Sequence, residues 1–378
     1  MKYKGMLEAS LQDAEVTRVR PAPRGVVIVS TGGVKGGGGI GSVTRMMTRW
    51  IGHNRPDIHV KPVDPRGEGS IAWSPFYIAA GLAKILALRL SGRADILHLQ
   101  VSERMSFPRK GIFQIFGRLI GMRVVLHHHG AELVPFYREA SPRMKSLVRR
   151  MVHGADINIV LGEVWRTLLT DEMDLDPKKV TVRFNAAENV GAGVDAVDPW
   201  HFLIVANLSP RKGVGELLQA VARLKADGHP IRLTLAGGGQ IDRYKAEAED
   251  LGVAGCVDFT GWVSGKDVHG LLRSRSALVL PSYQEGFPMA IIESLSAGLP
   301  VIATPVGSIG EMMKNGDDCL LVQPGDVDGL TAALLTMATD VALRDRLKEN
   351  GKALYAQHFD IDGYMQRMIA LYGKLLVA

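Results

Sequence analysis

The feature that most constrains this 378-residue chain is an alternation, run twice, of short β-branched runs with longer helix-period stretches. Val26-Val27-Ile28-Val29 is followed by glycines, as a buried parallel strand entering a tight turn would be. The pattern then predicts a helix over 40–50, a strand over 58–60, a helix over 76–90 and a strand over 96–99. A helix over 113–120, a strand over 124–126, a helix over 143–152 and strands over 157–160 and 180–182 complete this half. The second series predicts strands over 202–205, 231–235, 257–259, 277–280, 301–303 and 320–322. Its helices are expected over 214–226, 241–251, 266–273 and 289–297. Strands alternating with helices call for parallel sheets covered on both faces. The expected fold is α/β, with two Rossmann-like doubly wound domains facing across a cleft and ligands at the carboxyl ends of the strands.

Residues 1–24 carry charge throughout and no apolar signal core, and read as a mobile extension. A small-residue stretch without periodicity, residues 186–199, reads as the linker between a first domain starting at 25 and a second over 200–356. Hydrophobic residues are 46% and charged residues 22%, an ordinary globular balance that excludes a disordered or collagen-like chain. Cys256 and Cys319 are too few for a disulfide framework, so a cytoplasmic location is expected. The most apolar stretch, residues 76–90, is shorter than the ~20 residues a spanning helix needs and contains Lys84 and Arg89.

Charge is divided unevenly. Residues 1–190 carry +11 and the remainder −5, within a net +6. A membrane surface, a phosphorylated acceptor or nucleic acid could complement the basic half, and so could solvent alone. Arg143, Lys145, Arg149 and Arg150 lie on one basic, amphipathic stretch, which suits an anionic inner membrane face and a peripheral location there. Nucleic acid is disfavoured, because aromatic residues are 6% and none interleaves with the arginines.

The most informative segment runs from Leu280 to Ala303: Pro281-Ser282-Tyr283-Gln284-Glu285-Gly286-Phe287-Pro288-Met289, then an apolar helix bearing Glu293, then Gly298-Leu299-Pro300. Pro288 suits the first helical position and Gly298 the end. Such a helix start presents free N–H groups and a positive dipole end, a site for a diphosphate. Glu293 stands among isoleucines, where a carboxylate without a partner is costly.

Residues 281–301 resemble the Glu-x7-Glu signature of glycosyltransferase family 4, the retaining enzymes with the GT-B fold. The resemblance implies transfer of a hexosyl unit from a UDP- or GDP-sugar to a glycan or lipid-linked acceptor, in bacterial surface or exopolysaccharide synthesis, with no cofactor and no metal. Glu293 would hold the donor ribose, Glu285 the transferred sugar, and the main-chain N–H groups of Phe287 and Met289 the sugar and phosphates. Pro288 stands where the family commonly has glycine. Asn207-Leu208-Ser209-Pro210-Arg211-Lys212-Gly213 resembles the family's Gly-Arg-Leu…Lys-Gly stretch. Lys212 falls on the diphosphate lysine, and Arg211 is expected to replace the arginine that Asn207 lacks. Val263, in Gly261-Trp262-Val263, falls at the nucleotide-base contact. Residues 357–378 are expected to cross back and complete the first domain, 25–185.

The glycine-rich stretch after the first strand admits other readings. Gly36-x-Gly38-x-x-Gly41 with Asp64 downstream fits a dinucleotide fingerprint, whereas no lysine precedes Ser42 as a P-loop requires. The reading preferred here is the family's Gly-Gly-Ile loop, with Gly38 and Gly39 at the cleft. In Val124-Val125-Leu126-His127-His128-His129-Gly130 alternation puts His127 and His129 on one face. His127 is expected in the core, and His129 resembles the family's cleft histidine, positioning hydroxyls near the reacting sugar. Two alternatives remain at this level: a nucleotide-sugar epimerase, and a silent nucleotide-binding partner in a polysaccharide assembly.

Overall fold

A computed structural model describes residues 22–67, 70–193 and 197–377. The first lobe contains β1 (Gly25–Val29), α1 (Gly38–Asn54), β2 (His59–Val63), α2 (Ser74–Leu90), β3 (Ile96–Val101) and α3 (Ser106–Leu119). It continues with β4 (Arg123–His128), α4 (Leu133–Glu139), α5 (Pro142–Gly154), β5 (Ile157–Val160), α6 (Glu163–Thr167) and β6 (Val180–Val182). The second lobe contains β7 (His201–Val205), α7 (Val214–Ala226), β8 (Arg232–Ala236), α8 (Ile241–Asp250), β9 (Val257–Gly261), α9 (Gly265–Leu272) and β10 (Ala277–Leu280). Then come α10 (Met289–Ala297), β11 (Val301–Ala303), α11 (Ile309–Met312), β12 (Leu320–Leu321), α12 (Val327–Thr339) and α13 (Val341–Leu354). A last helix, α14 (Ile361–Val377), follows.

Each lobe is a six-stranded parallel sheet, in the orders β2-β1-β3-β4-β5-β6 and β12-β11-β10-β7-β8-β9. Winding direction reverses between β1 and β3 and between β7 and β10. At such a switch point the connections leave in opposite directions and open a crevice at the carboxyl ends of the strands. The β-branched runs are the sheet interiors; Val26 to Val29 are at most 1% exposed. Helix α7 buries Val214, Leu217, Leu218, Val221 and Leu224, the i, i+3, i+4 spacing of a single stripe.

In the first lobe α2, α3 and α5 cover one face of the sheet, and α1 and α14 the other. Tyr364, Met365, Met368 and Tyr372 of α14 pack in one cluster with Val26, Ile28 and Val125. The two chain crossings lie side by side: Ala187 bridges Asp360 in parallel, and its N–H donates to Phe359 O at 3.1 Å.

Several boundaries differ from expectation. Helix α3 begins at Ser106, seven residues before the predicted start, because Lys110 and Gln114 occupy its buried stripe and break the apolar period. Pro288 precedes α10 as its N-cap, with ψ 135°, instead of opening it. Of the supposed mobile extension, residues 1–21 lie outside the described residues, whereas Arg24 is held by Asp95 through its N–H at 2.8 Å and its Nη2 at 2.6 Å. The 186–199 stretch is likewise docked in part: the Val190 N–H donates to Ser296 Oγ at 3.2 Å, while 194–196 lie outside the described residues. Among the described residues no helix is long and apolar enough to cross a membrane.

Candidate functional site

The site is assembled by the second lobe's switch point. The loop after β7 carries Lys212 and the loop after β10 carries Glu285. Gly213, at φ 66°, lets the first loop lie against the second, since a Cβ there would stand 2.1 Å from Pro281 O. The Lys212 ammonium donates to Glu285 Oε1 in an ion pair whose members are both under a tenth exposed. Ser282 Oγ donates to the same oxygen at 2.7 Å, and Thr304 Oγ1 fixes Ser282 through its carbonyl at 2.6 Å.

Helix α10 rises directly beyond. No side chain caps its start, so its first-turn N–H groups are open to a ligand. Phe287 anchors this start: its ring is buried and stacks on Phe359 at 4.8 Å, and its carbonyl accepts from Asn185 Nδ2 at 3.0 Å. Met289 meets the first lobe's glycine loop, where a Cβ on Gly39 would lie 3.8 Å from Met289 Cγ. One turn on, Glu293 is half-buried and its carboxylate makes no hydrogen bond among the described residues. Burial pushes its pKa up to about 7, against a smaller opposing effect from Arg45 of α1 across the cleft.

The glycine loop forms the facing wall. Gly38 opens α1, and Gly41 is pressed so closely on the loop that a Cβ would stand 1.9 Å from Gly36 O. Asp64 Oδ1 accepts from the Gly32 N–H at 3.0 Å and the Arg66 N–H at 2.9 Å, so it pins the loop. That assignment replaces its reading as the acidic residue of a dinucleotide fingerprint. Arg45 completes the wall, donating to Gly36 O at 2.7 Å and Val34 O at 3.1 Å. Sequence reasoning missed Arg45; its one available signal is its place two turns into the helix that follows the glycines.

His129 lies one residue past β4, with its main chain 3.7 Å from the Cβ position of Gly286. His127 is fully buried, and its ring centroid is 4.1 Å from that of His129. His98 joins behind, hydrogen-bonded to His127 at 3.2 Å and to Tyr372 Oη at 2.8 Å. Burial, followed by the neighbouring His98 and Lys110, pushes the His129 pKa down to about 3. It is therefore a neutral imidazole at neutral pH, and its Nε2 has no partner. A neutral ring can orient a hydroxyl but carries no charge to a leaving group.

Arg211 is turned elsewhere. Its Nη1 donates to Gln284 O at 2.6 Å and its Nε stands 3.9 Å from Glu132 of the first lobe. Asn207 faces the Gly238 turn. Val263 follows β9, partly buried against the second core, beside a Trp262 that is exposed. The sequence-derived residues Lys212, Glu285, Phe287, Met289, Glu293, Gly39 and His129 thus converge on one cleft.

The lobes also bond directly. Ser308 Oγ donates to Leu161 O at 2.5 Å. Glu311 accepts from the N–H groups of Glu163 at 3.0 Å and Val164 at 3.4 Å, at the start of α6.

Two doubly wound lobes facing across a cleft form the GT-B fold. Residues 190–354, which make up most of the second lobe, match the family described as Glycosyl transferases group 1. The MMP α-(1→4)-mannosyltransferase of Mycolicibacterium hassiacum is 31% identical over 172 residues, covering 44% of this chain and 41% of that protein. The lipopolysaccharide core biosynthesis glycosyltransferase LpsE of Rhizobium meliloti is 34% identical over 161 residues, covering 41% of this chain and 46% of that one. The chain therefore spans less than half the length of either relative. Anabaena HepE, solved in complex with UDP, superposes with a TM-score of 0.73 at 16% identity, covering 93% of this chain and all of HepE.

Proposed function

We propose that this chain transfers a hexosyl unit, with retention of anomeric configuration, from a nucleoside diphosphate sugar to a glycan or lipid-linked acceptor of a bacterial surface polysaccharide. The observation that carries the reading is the Glu293 carboxyl group: half-buried, without a hydrogen bond, one turn into a helix whose open N–H groups face the cleft. A carboxylate placed so is satisfied by the paired hydroxyls of a ribose, and the helix start by the diphosphate attached to that ribose. HepE's complex with UDP supports a uridine donor, and LpsE's role in lipopolysaccharide core synthesis supports a surface glycan.

In this mechanism Lys212 turns from Glu285 toward the diphosphate, whose charge grows as the glycosidic bond breaks. A fixed cation there stabilises the transition state more than the bound donor. Glu285, Phe287 N–H and Met289 N–H hold the sugar and phosphates. His129 orients sugar or acceptor hydroxyls as a neutral ring. The acceptor oxygen attacks on the face the diphosphate leaves, and its proton passes to the departing phosphate oxygen. Val263 contacts the base, Gly38 and Gly39 line the phosphate side, and Arg211 serves as a second cation only after releasing the Gln284 carbonyl that now holds it.

The test is a panel of UDP- and GDP-sugars scored by thermal shift, then by nucleotide release with and without glycan acceptors. Binding raises the melting midpoint by mass action. Nucleotide release that depends on an acceptor is the expected result. Sugar interconversion without acceptor would replace the reading with an epimerase, and binding without release would replace it with a silent nucleotide-binding protein.

A further inference from the structure

The first lobe carries an unpartnered surface remote in chemistry from the cleft. Eight of the fourteen large hydrophobic residues exposed among the described residues fall between Trp73 and Leu119. On α3, Ile112, Ile115 and Leu119 follow one another at helical spacing on the outer face, with Leu119 79% exposed. The opposite face of α3 buries Phe107 and Phe113 in the core. A helix apolar on both faces is one that expects an apolar medium outside as well as inside. Helix α2 repeats the pattern: Phe76, 67% exposed, and Leu90 look outward, while Ile85 packs inward.

The charge on these helices is basic, although part of it is already engaged: Arg89 pairs with Asp95, Arg149 pairs with Asp174, and Lys110 is buried. Helices α2, α3 and α5 together hold nine lysines and arginines and no aspartate or glutamate. Lys84, Arg143 and Arg150 have no ion-pair partner among the described residues. Beside α5 a groove of about 570 Å³ is lined by Tyr137, Lys145, Arg149 and Arg150. Arg149 in that groove pairs with Asp174 at 2.7 Å, so Lys145, whose Nζ stands 5.8 Å from the Tyr137 ring centre, and Arg150 are its cations without an ion-pair partner among the described residues. Exposed aliphatic side chains flanked by unpaired cations match a surface that is apolar within and anionic at its rim. A second copy of this chain is the poorer occupant, because a two-fold contact would bring like charge against like.

We propose that the outer surface of α2, α3 and α5 docks on an anionic lipid bilayer, with the α2–α3 apolar side chains entering the acyl boundary and the α5 cations binding lipid phosphates. The proposal goes beyond the transferase reading and stands without it.

The experiment is co-sedimentation of the full chain with vesicles of phosphatidylglycerol and phosphatidylcholine in equal parts, and of phosphatidylcholine alone, at 0.1 M and 0.5 M salt. Binding to the anionic vesicles at low salt, at least tenfold stronger than to neutral ones, is expected. The double variants Ile115→Glu/Leu119→Glu and Arg143→Glu/Arg150→Glu each weaken it at least tenfold, with melting midpoint and nucleotide-sugar thermal shift unchanged. Tryptophan emission moves to the blue on binding, and Trp73→Phe reduces that shift. Equal binding to neutral vesicles, absence of binding, or unaltered binding by both double variants overturns the proposal. So does a dimer in size exclusion that Ile115→Glu dissociates.

Discussion

Lys212 and Glu285, 73 residues apart in sequence, form a buried ion pair at the floor of the interlobe cleft. They meet because β7 and β10 flank the point where the second sheet reverses its winding, so the two loops leave from adjacent strand ends. Sequence resemblance gives the two residues separate tasks, one on the diphosphate and one on the sugar. The geometry gives the unliganded chain a further state in which each holds the other, so donor binding must exchange one partner of Lys212 for another.

Breaking that pair from one side leaves a buried charge. Lys212→Met abolishes transfer and also destabilises the fold by about 3–5 kcal/mol, because Glu285 then keeps only the Ser282 hydroxyl. Adding Glu285→Leu removes the stranded carboxylate and restores most of the stability without restoring activity. Urea unfolding of both variants beside transfer assays checks this. A single variant as stable as the parent chain contradicts the pairing.

Glu293 sets function against stability. Its pKa is pushed up to about 7 in the fold, from an ordinary 4.5. Between those values the folded chain binds more protons than the unfolded one, so stability falls as pH rises from about 4.5 to about 7 and levels off above. The shift corresponds to about 3 kcal/mol at pH 8. Glu293→Gln is therefore expected to raise the melting midpoint of the unliganded chain at pH 8 and to leave it nearly unchanged at pH 4.5. The same variant weakens donor binding, and in the parent chain donor affinity improves as pH rises through 7 and the carboxylate ionises. Melting curves and donor titrations at pH 5, 6, 7 and 8 read both effects.

His129 is expected to act without a charge. With its pKa pushed down to about 3 by burial, it contributes no ionisation to the rate between pH 5 and 8. His129→Ala lowers kcat by roughly a hundredfold, as loss of one placed hydrogen-bonding group does. It leaves donor binding within a few-fold. A rate profile that follows an ionisation near pH 6.5 in the parent and flattens in the variant would rule this role out.

The sequence carries the fold's repeated strand–helix order, because β-branched runs and apolar stripes are local signals. The β10–α10 segment is the most legible: strand Ala277–Leu280, helix Met289–Ala297 and strand Val301–Ala303 stand where the pattern puts them, with Pro288 moved from the first turn to the cap. Local pattern fails where burial is polar. Helix α3 is read short because Lys110 and Gln114 lie in its inner stripe. Pairings across the chain leave little trace: the positions of Arg45 and Asp64 relative to the glycines are visible, but that Arg45 stands opposite Glu293 and that Asp64 pins the glycine loop depends on which loops the sheet order brings together. The exposed apolar face of α2 and α3 is hidden for the opposite reason, because the same residues read as core until the structure says which side is outside.

Glu311 supplies the last expectation, which concerns closure. It belongs to the second lobe, yet its carboxylate accepts two N–H groups at the start of α6 in the first. A carboxylate at a helix start gains from both the hydrogen bonds and the dipole. Solvent takes over those bonds when the lobes part, so the net bias toward the closed form is on the order of 1–2 kcal/mol, about a tenfold change in the closed-to-open ratio. Glu311→Ala is expected to increase the radius of gyration of the unliganded chain in small-angle scattering and to lower turnover more than donor affinity, since the donor site lies within one lobe. Glu311→Gln keeps an acceptor oxygen without the charge and should fall between the two. Burial raises the Glu311 pKa, opposed by those same two N–H groups. The carboxylate therefore takes up its proton at a higher pH than an exposed glutamate, and opening of the parent chain should set in correspondingly early as pH falls. An unchanged radius of gyration in Glu311→Ala, with parent-like turnover, would show that the other interlobe contacts, the two chain crossings, Ser308 on Leu161 and Arg211 beside Glu132 among them, hold the lobes without it.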